Sequence, residues 1–179
     1  MRRQPMPHPV TRIALGLLLL LAMPPVLLGA PAPLPAHYAT GDEWLDAHLA
    51  DIDRYASRHP AAFAAEVERY AGVPRDYVRG LLAQPGWQAG DAWFACFLAR
   101  ALEATCRSVV RARAGAGAQA GWSPAMDGLD TGTRELAQVR LALADSYRRW
   151  ARPLQPDAAL ARALREREAN TPEPKESPP

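Results

Sequence analysis

Two cysteines constrain the fold of this chain more than any other feature of its sequence. Both lie in the stretch GDAWFACFLARALEATCRSVV, residues 90–110, whose composition is typical of a helix throughout. On one straight helix, Cys96 and Cys106 would lie about 15 Å apart along the axis and on different faces. A disulfide requires Cα atoms within about 7 Å of each other. The cysteines are therefore either unpaired on one helix or paired across a turn.

The N-terminal sequence has the three parts of a secretory signal peptide. A basic start without acidic residues precedes the apolar run IALGLLLLLAMPPVLLGA, and small residues and prolines follow it. A membrane-spanning helix needs about 20 apolar residues, and Pro24 and Pro25 interrupt the run before that length. The sequence predicts a signal peptide over residues 1–36, cleaved after Ala36, rather than an uncleaved membrane anchor. The mature protein is then exported, to the periplasm or out of the cell.

This predicted export favours pairing of the two cysteines. An oxidising compartment and an even number of cysteines both favour a disulfide. A Cys96–Cys106 bridge requires the chain to reverse direction between Ala101 and Thr105, with Thr105 capping a new helix. The residues between contain no glycine or proline, so the local sequence signals this turn only weakly. We expect a helix–turn–helix closed by one disulfide, in which the cysteines have a structural role.

Other roles of the cysteines fit the sequence poorly. A structural zinc site takes four closely spaced ligands, and the histidines of the mature chain do not cluster with the cysteines along the sequence. The Cys-x-x-Cys spacing of redox enzymes is absent, and no histidine can be assigned as the partner of a nucleophilic cysteine. The sequence also contains no phosphate-binding glycine loop, no Ser-His-Asp spacing and no cofactor fingerprint. We therefore expect no bound metal and no cofactor.

Removal of the signal peptide leaves a chain that is close to neutral. The number of lysines and arginines falls from 21 to 18 because three arginines leave, against 19 aspartates and glutamates. The mature chain therefore lacks the basic surface that nucleic-acid binding requires. Its 143 residues, of the 179 in the sequence, suffice for one helical domain, placed at residues 37–168. The Pro-rich tail, residues 169–179, cannot offset its ordering entropy by burial and is expected to be disordered.

Helical periodicity covers the predicted domain, and strand-like alternation is absent. Pro60 is expected to begin the second helix and Gly72 to end it, while Asp91 is expected to cap the cysteine-bearing helix. A long helix near the C-terminus carries one apolar stripe, made of Leu136, Val139, Leu143, Tyr147 and Trp150. A last, weakly apolar helix follows it. The pattern predicts an all-α protein, an orthogonal bundle of about five to seven helices.

Four segments carry the most specific motifs of the chain: GVPRDYVRGLL, GWQAGDAWFACFLARAL, CRSVVRAR and GWSPAMDGLDTGTREL. In their order, Pro-Arg-Asp-Tyr-Val, Gly-Asp-x-x-x-Ala-Cys, Cys-Arg-x-Val-Val and Gly-Trp, they resemble a family of small, uncharacterised secreted bacterial proteins. The similar part runs from Gly72 to Leu136, under half of the chain. The resemblance implies export and a helical fold, and it implies no established activity.

This chain departs from the family pattern at two places. The family breaks the chain before its second cysteine with glycine or proline, where this sequence has Glu103, Ala104 and Thr105. The acidic segment SPAMDGLD stands where the family has a basic stretch. The positions that match the family are Pro74, Arg75, Asp76, Tyr77, Val78, Gly90, Asp91, Ala95, Cys96, Cys106, Arg107, Val109, Val110, Gly121 and Trp122.

A candidate partner-binding surface consists of four residues: Arg75, Trp87, Arg107 and Trp122. Arginines bind anions such as phosphate or peptidoglycan carboxylates, although Arg75 also suits a solvated helix start. Trp87 and Trp122 lie in glycine-containing turns, where an aromatic side chain either binds a partner or covers the core. The sequence does not decide between partner binding and a structural role for Arg75, Trp87 and Trp122.

The sequence favours an exported, non-catalytic helical protein that acts through an unknown protein or cell-envelope partner. One alternative is a small hydrolase of peptidoglycan or a related envelope polymer, with Glu66, Glu68 or Glu103 as acids. A cleft lined by Glu66 or Glu103, with Trp87 at its rim, would favour that alternative. The other alternative is a peripheral membrane-associated protein that contacts anionic lipid heads through Arg148, Arg149, Trp150 and Arg152.

Overall fold

Eight helices build the part of the chain that the structure, a computed structural model, describes: residues 37–117 and 120–170. No strand occurs within these ranges, so the prediction of an all-α protein is confirmed. One helix more than the upper expectation is present, because the six residues of α6 are too few to show a periodicity. The predicted signal peptide, residues 1–36, and residues 171–179 of the predicted tail lie outside the described residues. The helices are α1 (Glu43–Arg58), α2 (Pro60–Ala71), α3 (Arg75–Leu82), α4 (Ala89–Ala101), α5 (Cys106–Gly115), α6 (Ser123–Gly128), α7 (Thr133–Arg149) and α8 (Ala158–Ala169).

Helix α4 lies at the centre of the core. Every residue from Ala89 to Ala101 is buried except Arg100, and Trp93 and Phe94 are completely buried. A helix that is apolar on all sides must be covered on all sides, and α1, α2, α3, α5 and α7 all contact α4. The first half of the cysteine-bearing stretch therefore forms the central helix, on which five of the other helices pack.

The first three helices pack their apolar residues into the core, and the second keeps its predicted ends. Helix α1 turns Leu45 and Ile52 into the core, where both are fully buried. Helix α2 begins at Pro60 and ends before Gly72, whose φ of 71° glycine adopts without steric cost. Helix α3 starts at Arg75, directly after Pro74, which is its N-cap.

The chain reverses direction between α4 and α5, where a disulfide requires it to do so. Helix α4 ends at Ala101, and the side chain of Thr105 caps α5 by accepting a backbone N–H of its first turn. Glu103 makes the reversal with a φ of 54°, a left-handed conformation that costs a non-glycine residue about 1–2 kcal/mol. Cys96 and Cys106 form a disulfide across this turn, with their Cα atoms 4.4 Å apart. The predicted pairing and the predicted cap are both confirmed.

Arg140 of α7 ties the first and last helices together. Its side chain is buried, and it forms ion pairs with Asp42, which caps α1, and with Asp157, which caps α8. The second of these pairs has an N–O distance of 2.7 Å. Helix α8 also buries Leu160 completely and packs on α7. The last helix, although weakly apolar, is therefore an integral part of the domain.

Candidate functional site

Two of the four candidate surface residues lie at helix α3, Arg75 within it and Arg107 next to it. Arg75 is exposed at the first position of this helix. Arg107 of α5 lies over the ring of Tyr77, with its guanidinium carbon 5.7 Å from the ring centroid. Arg79 is also exposed, one turn after Arg75. We call the surface formed by Arg75, Tyr77, Arg79 and Arg107 the α3 face.

Two cavities border the α3 face. The first has a volume of about 260 Å³ and lies between α2 and α3, with apolar residues and two arginines as its lining: Phe63, Ala64, Val78, Leu82, Arg75 and Arg79. The second has a volume of about 240 Å³ and includes one half of the disulfide: Val73, Pro74, Tyr77, Cys106 and Arg107. Each cavity thus combines apolar walls with at least one guanidinium group.

The guanidinium groups of the α3 face are available to a partner. Arg75 pairs with Glu68 at 2.5 Å, and the two side chains are 48% and 43% exposed. Arg79 pairs with Asp76, and both of these side chains are still more exposed. Exposed ion pairs contribute at most about 1 kcal/mol, so a carboxylate of a partner can replace them at little cost. Arg107 forms no ion pair with any residue in the described part of the chain.

Trp122, the third candidate, lies in the core and not on a surface. It is completely buried, and its Nε1 donates a hydrogen bond of 2.9 Å to Asp91 Oδ1. Phe94 packs against it edge-on, with ring centroids 4.8 Å apart. Trp122 therefore has a structural role and leaves the candidate surface. Trp87 is half-buried and meets Trp122 edge-on at 6.3 Å.

The first described residues dock against the Gly-Asp and Gly-Trp pairs of the sequence. Tyr38 is 3% exposed, and its carbonyl oxygen accepts a hydrogen bond of 2.6 Å from Trp122 N. A Cβ atom on Gly90 would meet the Tyr38 hydroxyl, and one on Gly121 would lie 2.9 Å from the Tyr38 carbonyl oxygen. Both positions require glycine because the N-terminal segment passes too close for a side chain. We call the docking site the N-terminal socket; it consists of Asp53, Gly90, Asp91, Gly121 and Trp122.

Asp91 is the central hydrogen-bond acceptor of the N-terminal socket. The cap of α4 is Gln88, and Asp91, three residues later, accepts a hydrogen bond of 2.9 Å from the backbone N–H of Gln88. The predicted cap at Asp91 is therefore wrong by three residues. Its Oδ2 also lies 2.7 Å from Nε2 of His37, and its Oδ1 accepts from Trp122. Both carboxylate oxygens are thus occupied by groups of this chain.

Burial raises the pKa of two tyrosines in the core. For Tyr38, burial is the larger cause, and the hydrogen bond that the hydroxyl donates to Asp53 raises the pKa further. For Tyr147, burial again comes first, followed by the hydrogen bond of 2.6 Å to Asp51. Burial also raises the pKa of Asp53, against the hydrogen bonds from Tyr38 and Gly90 N that lower it. The two phenols stay protonated near pH 10, where an exposed tyrosine ionises.

These tyrosines are expected to make the fold sensitive to base. Above pH of about 10 the unfolded chain releases phenol protons that the folded chain retains, so stability present below that pH is lost as pH rises, by up to about 1.4 kcal/mol per pH unit for each phenol. Urea unfolding between pH 8 and pH 11.5 measures this loss. We expect a shallower loss in Tyr38→Phe than in the unaltered protein. Identical pH dependence of the two proteins would contradict the assignment.

A third cavity, of about 180 Å³, lies beside the N-terminal socket and is lined in part by Trp87, Asp91 and Arg113. Asp91 and Arg113 are 1% and 4% exposed. Arg113 donates a hydrogen bond of 2.9 Å to the carbonyl of Gly117 and lies 5.5 Å from the centroid of Trp122. Each oxygen of the Asp91 carboxylate already accepts a hydrogen bond from within the chain, from Gln88 N and from Trp122 Nε1. We assign this cavity a structural role.

The three acids considered for a hydrolase, Glu66, Glu68 and Glu103, lie in three different environments. Glu66 is 5% exposed, and both of its oxygens accept hydrogen bonds from Arg149. Glu68 pairs with an exposed arginine of the α3 face, and Glu103 is exposed in the turn before α5. None of the three lines the cavities described above. The carboxylate that does lie beside Trp87 is Asp91, and its oxygens are already occupied.

The C-terminal end of α7 keeps most of its cations and its tryptophan in contacts within the protein. Arg149 forms an ion pair of 2.5 Å with a buried glutamate, and Arg152 pairs with an aspartate at 2.6 Å. Trp150 stacks on Tyr55, with ring centroids 4.3 Å apart. Of the four residues considered for lipid contact, Arg148 is the one whose side chain is largely exposed, at 77%. This end therefore presents one exposed cation in place of a basic aromatic cluster.

A search of the described residues finds no group of three or more histidine, cysteine, aspartate or glutamate side chains that could hold a metal ion. Among the same residues, no helix has the length and apolar character needed to cross a membrane. The residues of the predicted signal peptide are outside both findings.

Neither family models, nor curated proteins, nor solved structures match this chain. The resemblance to small secreted bacterial proteins therefore stays a prediction. The α3 face combines exposed cations, apolar cavities and an arginine that forms no ion pair within the described residues.

Proposed function

We propose that this chain is an exported, non-catalytic protein that binds an acidic segment of a protein partner in the cell envelope through the α3 face. The observation that carries the proposal is Arg107. It lies on Tyr77 beside a cavity of about 240 Å³, and no carboxylate of the described chain pairs with it. A guanidinium group held in place on an aromatic ring is a preorganised partner for a carboxylate.

The apolar cavities favour a protein partner over an envelope polysaccharide. An acidic peptide segment can place a carboxylate on Arg107 and apolar side chains into the two cavities, whereas a glycan strand lacks apolar side chains of that size. Protein interfaces use the same combination of apolar pockets with arginine contacts. The exchangeable ion pairs of Arg75 and Arg79 add two further positions for partner carboxylates.

Export is supported by the leader-like sequence and by the disulfide, because disulfides persist in oxidising compartments. A non-catalytic role is supported by the state of the buried acids. Glu66 is held by Arg149 and Ser146, and Asp91 is held by the N-terminal socket. Neither carboxylate retains an oxygen free to act as an acid or base on a substrate.

Site-specific photo-cross-linking in the producing cell tests this proposal. A photoreactive amino acid replaces the exposed Asp76 of α3 in one protein and the exposed Arg165 of α8 in another. We expect a defined adduct from α3 and none from α8, and we expect Arg107→Glu to reduce the adduct about tenfold or more. The matched control is Arg111→Glu, an exposed arginine one turn further along α5, which should leave the adduct unchanged.

The adduct also reports the chemistry of the partner. Peptide mapping is expected to place the cross-link in an acidic protein segment. An adduct that survives Arg107→Glu, an equal adduct from the α8 position, or attachment to a glycan strand would each contradict the proposal.

A further inference from the structure

A groove between α4 and α7 offers an apolar floor that shares no residue with the α3 face. Its cavity has a volume of about 360 Å³, within the range of small-molecule sites and near its lower end. Phe97 and Ala101 of α4 form one wall and are 4% and 5% exposed. Leu141 and Ala142 of α7 form the facing wall and are half-buried. The groove therefore suits an apolar group of limited size.

Two guanidinium groups meet at Tyr70, at the edge of this apolar floor. Arg149 lies over the Tyr70 ring, with its guanidinium carbon 3.6 Å from the ring centroid. Arg100 donates a hydrogen bond to the backbone carbonyl of Tyr70. Arg149 is also held by Glu66, which accepts from its Nε at 3.0 Å. Both groups line the cavity and are held in position before any ligand arrives.

The lining of the groove carries more guanidinium groups than carboxylates. Arg100 and Arg149 line it with one carboxylate, that of Asp145, and Arg149 also pairs with the buried Glu66. Arg100 forms no ion pair with a carboxylate of the described residues. Asp145, which lines the groove, already accepts from Arg148 and from Arg167, the latter at 3.0 Å. An anion in the groove would reduce the repulsion among these groups.

We propose that the groove binds a small free amphiphilic acid, whose carboxylate or phosphate lies on Arg100 and Arg149 and whose apolar part lies against Phe97 and Leu141. Charge complementarity selects the acid group, since arginine pairs with carboxylate and phosphate through two parallel hydrogen bonds. The limited volume of the groove favours a small free molecule over a bilayer surface. The site is independent of the α3 face, and its test uses different variants.

Calorimetric titration of the purified, disulfide-bonded protein with monomeric decanoate tests the proposal. We expect saturable binding of decanoate, and we expect Arg100→Gln to raise the dissociation constant about tenfold. Arg100 is exposed, so this variant should fold. Leu141→Asp, which places a carboxylate in the apolar wall, is expected to abolish binding. Arg165→Gln, an exposed arginine of α8 outside the groove, is the matched control and should bind as the unaltered protein does.

Two further ligands separate the possible sources of binding. Decanol carries the same apolar body without the charge and is expected to bind far more weakly than decanoate. Vesicles of anionic phosphatidylglycerol present the headgroup in a bilayer and are expected not to compete. Absence of saturable decanoate binding, equal binding of decanol, an unchanged constant in Arg100→Gln, or binding to vesicles alone would each overturn the proposal.

Discussion

Gly90→Ala will lower the free energy of unfolding by about 3 kcal/mol and will release Tyr38 from the core. A Cβ at this position would meet the Tyr38 hydroxyl and would lie 2.6 Å from the carbonyl oxygen of Leu49. The carbonyl belongs to the backbone of α1 and cannot rotate away, so either α1 or the N-terminal segment must move. The hydrogen bond from Gly90 N to Asp53, 2.8 Å long, would be strained by the same displacement.

Chemical denaturation with tryptophan fluorescence measures this change, and absorbance at alkaline pH reports the released phenol. The matched control is Gly80→Ala in α3, where a Cβ would meet no atom within 4 Å. Alanine has the higher helix propensity, so this control is expected to gain up to about 1 kcal/mol. If Gly90→Ala were as stable as the unaltered protein, docking of Tyr38 into the N-terminal socket would be contradicted.

Arg149→Ala is expected to cost about 3–5 kcal/mol, because it leaves the Glu66 carboxylate buried without a counter-charge. The Glu66 side chain is 4% exposed, and its Oε1 would keep only the hydrogen bond of 2.7 Å from Ser146. That hydroxyl in turn accepts from Trp93 at the centre of α4, so loss of the arginine disturbs a network that joins α2, α4 and α7. Thermal and urea unfolding measure the cost.

The neighbouring Arg148→Ala is the control, because its side chain is 77% exposed and its ion pair with Asp145 is 3.4 Å long. We expect a change of less than about 0.5 kcal/mol there. The double variant Glu66→Leu/Arg149→Met removes both charges and should recover most of the stability lost in Arg149→Ala. Equal losses in Arg148→Ala and Arg149→Ala would contradict the buried ion pair.

The local parts of the fold follow from the sequence because their causes are local. Pro60 and Gly72 bound α2 as their backbone preferences require, and Thr105 caps α5 through its own side chain. The turn between α4 and α5 follows from the expected disulfide, and the helix and turn propensities of its residues do not predict it. It forms because Glu103 accepts a left-handed conformation, for which the sequence carries no signal.

The long-range parts of the structure could not be read from the sequence. Gly90 and Gly121 stand out as motif positions, but their reason, the passage of Tyr38 and its neighbours, depends on residues more than fifty positions away. The burial of Trp122 has the same origin. A glycine-containing turn is equally compatible with an exposed tryptophan, so the sequence left that residue on the candidate surface.

The candidate surfaces, too, could be predicted from the sequence only in part. The motifs point to Arg75 and Arg107, and the structure places both at α3, Arg75 as its first residue and Arg107 against the ring of Tyr77. Arg100 was not selected, because it is one exposed arginine on a helix that is otherwise buried. Its proximity to Arg149 through Tyr70 depends on the packing of three helices. Only that packing shows which of many arginines share a cavity.

The central claim is that this helical protein is exported and contains the Cys96–Cys106 disulfide. Measurement of the intact mass without reduction tests this claim most directly. The protein is isolated from the envelope, periplasmic and medium fractions of the producing cell, and its first residue is determined by N-terminal sequencing. We expect a chain that begins at His37, with a mass lowered by the hydrogens lost in joining Cys96 to Cys106, and without a thiol that reacts before reduction. A cytoplasmic chain that retains residues 1–36 and carries two reactive thiols would contradict the account.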